Sequence, residues 1–245
     1  MSMQGEKITI DVAERSGGRD GKPQILNDRL FMQLQVYTRC SDSRGAVDAA
    51  RKSRLACVIY QDLNDPAGIG VLTMSSSPDW FVTRVRGLLT APPFCDLTHR
   101  PDLTMVGRTY AIGYEPNLID WLLEKPRRTA LNPEWPWAVW YPLRRTGMFA
   151  ALPEKEQKTI LSEHARIGFA YGQADLAHDI RLACHGLDAK DNEFVIGLVG
   201  KELHPLSHVV QTMRATKQTS AYIQSMGPFF VGRAIWQSPI TTAAQ

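Results

Sequence analysis

Residues 29–38 set Leu30, Met32, Leu34 and Val36 in alternation with other side chains, the period of a strand with one buried face. The segment 43–55 follows with helical spacing, and 56–63 and 68–76 read as two further strands. Residues 77–89 open on Ser77, Pro78 and Asp79, good chemistry for a first helical turn, and place Phe81, Val82, Val85 and Leu88 on one face. With a strand at 103–114 the order is β-α-β-β-α-β. After a connecting helix at 117–125 and a loop rich in Pro and Arg, that order repeats. A strand is predicted at 135–143, a helix at 152–171, paired strands at 179–187 and 192–200, a helix at 203–223 and a last strand at 227–235. The pattern predicts an α+β protein built as a duplicated ferredoxin-like fold of the dimeric α/β barrel kind, with two antiparallel sheets flanked by helices.

Three segments follow from this reading. Residues 1–25, with Gly5, Gly17, Gly18, Gly21 and Pro23 among charges, are expected to form a flexible N-terminal arm. Residues 26–125 and 126–245 are the two halves. The full 245 residues are ample for a core that needs no disulfide or metal staple. A net charge of +3 does not single out nucleic acid or an anionic membrane as partner, so neither is expected. Cys40, Cys57, Cys95 and Cys184 are scattered without a metal-binding spacing, and no apolar run reaches transmembrane length. A cytoplasmic location is expected.

His164 carries the most chemical weight. On the helix at 152–171 it shares a stripe with Ile160, Leu161, Ile167, Gly168 and Tyr171, which predicts an inward-facing imidazole. Gly168, one turn on, removes a side chain where a flat ligand would need room. None of the six histidines lies in an HExxH context, which argues against a mononuclear zinc hydrolase. On these residues alone, core packing remains open for His164.

Four segments in order, WYPLRR at 140–145, LPEKEQKTILSEHARIG at 152–168, GLDAKDNEFVIGL at 186–198 and GPFFVG at 227–232, resemble the chlorite dismutase family, which includes coproheme decarboxylases. The resemblance covers the second half, residues 126–245, and implies that this half binds haem; the first half is similar only in its element pattern. It implies an iron porphyrin cofactor, haem b or coproheme, and a homo-oligomer, commonly a pentamer. His164 falls on the axial metal ligand. Tyr141 matches the tyrosine that coproheme decarboxylases oxidise to a radical beside a propionate, and Arg145 stands where a propionate-binding lysine is usual. Tyr110, and either Arg127 or Arg128, are further propionate contacts on this reading. Trp135, Trp137 and Trp140 are expected to supply apolar wall.

The other side of the porphyrin departs from the family, whose Arg or Gln about thirteen residues after the histidine is replaced here by Ala177 or, allowing an insertion, Asp179. Arg181 shares strand parity with Asp179, and His178 reaches the same place if the register slips by one. The function implied is a peroxide-dependent oxidoreductase resembling a coproheme decarboxylase, in haem b synthesis. The alternatives are a chlorite dismutase or general haem peroxidase, acting on chlorite or hydrogen peroxide, and a non-catalytic haem-binding or structural oligomer. Phe149, where chlorite-converting relatives tend to carry tryptophan, weakens the chlorite alternative.

Overall fold

The computed structural model describes residues 9–18 and 21–240. Within the predicted arm, β1 (Glu14–Ser16) and β2 (Gln24–Leu26) pair as a short antiparallel ribbon. It is docked by polar contacts: the Glu14 carboxylate accepts from Arg29, Arg108 and the Ala111 backbone N–H, and the Gln24 amide bridges Pro116 O and Leu118 N–H. Residues 1–8, 19 and 20 of that arm lie outside the described residues.

The first half comprises β3 (Phe31–Thr38), α1 (Ser43–Ser53), β4 (Cys57–Asp62), β5 (Ile69–Ser75), α2 (Arg86–Leu89), the two-residue β6 (Thr98–His99) and β7 (Met105–Arg108). The connecting helix ends in α3 (Lys125–Ala130). The second half comprises β8 (Trp137–Arg145), α4 (Gly147–Ala150), α5 (Glu154–Gln173), β9 (His178–Ala183), β10 (Phe194–Gly200), α6 (Leu203–Arg214), α7 (Lys217–Tyr222), β11 (Ile223–Met226) and β12 (Phe230–Gln237). Each half is an antiparallel sheet in ferredoxin-like order, β4-β5-β3-β7 and β9-β10-β8-β12. The two sheets join edge to edge, β4 to β12 and β7 to β9, so that they close into one barrel.

Alternation along the strands sorts the core into three compartments. Met32, Leu34, Tyr60, Leu72, Met105, Trp140, Leu182 and Phe230 fill the barrel interior. Outside the first sheet, Ile59, Val71, Val85, Leu88 and Phe94 pack beneath α1 and α2. Outside the second, Val139, Tyr141, Leu143 and Leu198 pack beneath α6 with Leu206 and Val209. Two interior positions admit only glycine at this packing: a Cβ on Gly197 would stand 2.5 Å from the Trp140 ring, and one on Gly70 would stand 2.5 Å from Phe230.

Three expectations change in detail. The helix at 77–89 contains a π-turn, Phe81–Val85, and the extra residue in that turn rotates Val82 to solvent, 66% exposed. The strand expected at 103–114 shrinks to β7, because the Glu115 carboxylate accepts the Ile112 and Gly113 N–H groups and holds 109–117 as a loop. The helix expected at 203–223 breaks after Arg214, where Thr216 caps α7 by accepting the Thr219 N–H. Trp140 also differs from the other two tryptophans: it points into the barrel, whereas Trp137 packs on the outer face and Trp135 stacks on His178. Among the described residues no helix is long and apolar enough to cross a membrane.

Candidate functional site

The outer face of the second sheet carries the candidate chemistry. Ile196 on β10 pairs with Tyr141 on β8 and with Arg181 on β9, and Leu198 pairs with Val139 and Asp179. Arg181, Ile196 and Tyr141 therefore form one row across three strands, with Asp179 in the next. Arg181 Nε is 2.8 Å from Asp179 Oδ2, and its guanidinium lies 5.3 Å from the Trp121 ring centroid. Tyr141 is buried and stacked on Phe229 at 4.7 Å. Burial drives its phenol pKa well above the usual value; nearby Asp179 adds to this, and Arg214 opposes it.

His164 faces the same compartment from α5. Burial holds its imidazole pKa below the ordinary value, Arg181 lowers it further, and Asp179 and Glu163 oppose. Its Nδ1 is 3.4 Å from Thr216 Oγ1. The Thr216 hydroxyl hydrogen goes to Met213 O at 2.7 Å, so the imidazole must donate in this contact. The Nδ1–H tautomer leaves the Nε2 lone pair free, the arrangement a metal-binding histidine takes when a neighbouring oxygen fixes its ring. The stripe predicted around His164 is shallower than expected, since Ile160 is the only fully buried residue of α5 and Leu161 is exposed. A Cβ on Gly168 would meet Met213 Cε at 3.7 Å, ordinary contact.

A histidine buried in its neutral form ties stability to pH. The folded pKa lies below the free value of about 6.5, so the unfolded chain takes up more protons as pH falls through that range and stability drops. His164→Gln should flatten the fall in urea midpoint between pH 7 and 5. His99, also depressed chiefly by burial, keeps its own share.

The remaining predicted residues divide. Arg145 lies on the same outer face; its Nε and backbone N–H both donate to Glu193 Oε2, at 3.0 and 2.9 Å, and its guanidinium covers Phe149 and Phe194. Tyr110 packs on Phe194 at 5.6 Å, from the 109–117 loop. Arg128 turns outward to Asp120 at 2.6 Å, and Arg127 is half-buried without an ion pair among the described residues. The cation of this helix that reaches the site is Lys125. It lies 4.0 Å from the Trp121 ring centroid, and burial lowers its pKa while Asp179 opposes. With Tyr110, Trp121, Asp179 and Arg181 it lines a cavity of about 20 Å³, room for one water molecule. His178 does not join the group. It shares the parity of Ile180 and Leu182, opposite to Asp179 and Arg181, where it stacks on Trp135 at 3.5 Å and binds Asp175 through Nε2. Ala177 is buried beneath α6.

Sequence reasoning passed over Lys125, Trp121, Arg214 and Thr216. Lys125 had a signal, a helix-end lysine beside Pro126, but the adjacent arginine pair is the louder one. Thr216 could have been found as a cap only if the break after Arg214 had been recognised.

A closed barrel of two ferredoxin-like sheets, with one outer face carrying the polar groups, defines a duplicated α+β barrel protein. Residues 122–235 match the chlorite dismutase family model. The fold is shared with a heme-binding protein from Thermus thermophilus, 20% identical, with 84% of this chain and 91% of that one covered at a TM-score of 0.67. It is shared also with a mutant chlorite dismutase from Candidatus Nitrospira defluvii, 14% identical, with 84% and 90% covered at 0.63. No curated protein sequence matches the chain.

Proposed function

We propose that the chain binds an iron porphyrin, haem b or coproheme, with His164 as axial ligand, and that it is a peroxide-dependent enzyme of the coproheme decarboxylase kind. The observation that carries this reading is the pairing of an Nδ1-anchored His164 with the Arg181–Ile196–Tyr141 row on one compartment. The donor set fits the group: a neutral imidazole with Nε2 free, and cations of the right kind for carboxylates in Arg145 and Lys125. The cavity beside Arg181 is the size of one water and is not lined by His164 or Tyr141, so seating a macrocycle requires this compartment to open.

When bound, such a group supplies the oxidising power. Thr216 keeps the His164 ring in its metal-facing tautomer. Arg145 offers a planar fork to a carboxylate, with Glu193 setting its direction. Tyr141 is a neutral phenol at neutral pH, and its burial disfavours the phenolate further, so it retains a hydrogen to give. A chlorite dismutase or general peroxidase is the second reading, favoured by Arg181 as a cation on the compartment wall. Homo-oligomeric assembly, a pentamer by resemblance, belongs to the same proposal, and the exposed Leu161 and Phe169 of α5 are apolar surface that a second copy would cover.

The test is an optical spectrum of the purified chain with haem b and with coproheme, followed by peroxide or chlorite and mass spectrometry of the porphyrin. Loss of carbon dioxide from coproheme supports the leading reading, and chlorite or peroxide consumption without it selects the second. No spectral shift with either porphyrin overturns both. Tyr141→Phe should bind coproheme within about threefold of the unmodified chain, because ring and packing are kept, yet give no vinyl product. Equal decarboxylation by both would remove Tyr141 from the reaction.

A further inference from the structure

His204 and His208 stand four residues apart on the exposed side of α6, so their rings rise from one face of the helix. The ring centroids are 5.9 Å apart at an interplanar angle of 57°. A first-row metal about 2.0–2.1 Å from an imidazole nitrogen lies about 3.2 Å from the ring centroid, so two imidazoles on one ion in an open tetrahedral arrangement hold their centroids about 5–6 Å apart. The spacing already satisfies that requirement.

The hydrogen-bond contacts that orient His208 supply a second observation. The Thr212 hydroxyl donates to His208 O at 2.9 Å, and its oxygen lies 3.1 Å from the Tyr171 hydroxyl. The Tyr171 hydroxyl is also in short contact with His208 Nδ1, so this ring is held through Nδ1 by an oxygen on the neighbouring helix. With Nδ1 held toward Tyr171, Nε2 faces the other way, away from α5. An outer oxygen orienting a ligand histidine is the usual support of a metal site.

We propose that His204 and His208 form a surface site for a divalent transition ion such as Cu²⁺ or Zn²⁺, separate from the His164 compartment. Among the described residues no third His, Cys, Asp or Glu completes a metal-holding group there, so the other positions fall to water or an external ligand. Tyr171 lies on α5, seven residues beyond His164, so the contact that orients His208 joins this site to the helix that carries the proposed haem ligand.

The test is titration of the porphyrin-free chain with Cu²⁺ alone, followed by calorimetry and by electron paramagnetic resonance. One site with two nitrogen donors is expected. His204→Ala and His208→Ala should each weaken it at least tenfold, and Tyr171→Phe by about threefold through loss of ring orientation alone. Both histidines are exposed, so circular dichroism should be unchanged, and His204→Asn serves if the alanine variant is not. Cu²⁺ bound as tightly by His204→Ala or His208→Ala as by the unmodified chain, or a spectrum without two-nitrogen coordination, overturns the proposal.

Discussion

His164→Ala should abolish the Soret shift that haem b or coproheme gives with the unmodified chain, while the far-ultraviolet circular dichroism stays as it was. The side chain is half-buried on a helix that contributes one fully buried residue, Ile160, so truncation removes little packing. What it removes is the single donor whose lone pair is left free by the Thr216 contact. An iron–imidazole bond is the strongest directional contact the site offers, and its loss should weaken porphyrin affinity at least a hundredfold. Thr216→Val, which keeps the shape of the cap and deletes the acceptor, should cause a smaller loss of about ten- to a hundredfold by freeing the ring to rotate. Absorption titration distinguishes these outcomes. A ligand-field band unchanged in His164→Ala would eliminate His164 as the axial ligand, whatever reaction the chain performs.

The largest effect on folding is expected inside the barrel. Trp140 is 1% exposed and lies flat against Gly197 on the neighbouring strand. Trp140→Ala should cost about 3–5 kcal/mol, because the closed barrel cannot collapse fully onto the void. Gly197→Ala should cost about 1–3 kcal/mol for the opposite reason: the new Cβ meets three ring atoms at 2.5–2.8 Å, and the ring has nowhere to retreat. The two changes answer each other. In the double variant the added methyl enters the space the ring has left, so the combined loss should fall short of the sum by about 1–2 kcal/mol. Urea midpoints of the four proteins measure this, and strict additivity would mean that the ring does not lie on Gly197 in solution. Trp140 precedes Tyr141 on β8, so the same packing that fills the barrel also fixes the strand presenting Tyr141 on the outer face.

The legible parts of the fold were those written in period-2 alternation. Leu30, Met32, Leu34 and Val36 announced β3, and the repeat of six elements announced the duplication. The two π-turns, Phe81–Val85 and Asp120–Glu124, were not legible, because a widened turn leaves the apolar count intact while rotating Val82 and Ile119 into water. Within the site, the inward turn of His164 and the parity of Arg181 with Asp179 were readable, whereas His178, kept open on a register slip, was placed wrongly. Ile180 and Leu182 are aliphatic and must face the barrel, which puts His178 on their side and Asp179 and Arg181 on the other. Lys125 and Trp121 reach the site only because the 109–117 loop and the connecting helix fold over the edge of β9. No local pattern encodes that.

The two seams that close the barrel are unequal. Between β4 and β12 five residue pairs join the strands, with a bulge between Ala234 and Trp236, whereas between β7 and β9 the single pair Arg108 and Ala183 makes the join, at a point where Gly107 would set a Cβ 2.7 Å from Leu182. A cask with one loosely fitted stave yields at that stave first. Here it is β9, whose outward residues are Asp179 and Arg181, so the wall that carries the site's charges is the one with fewest main-chain ties to its neighbour on that side. The stiffness of the cylinder is thus distributed unevenly, with rigidity concentrated where β8, β10 and β12 hold Tyr141 and compliance concentrated where Arg181 meets whatever enters.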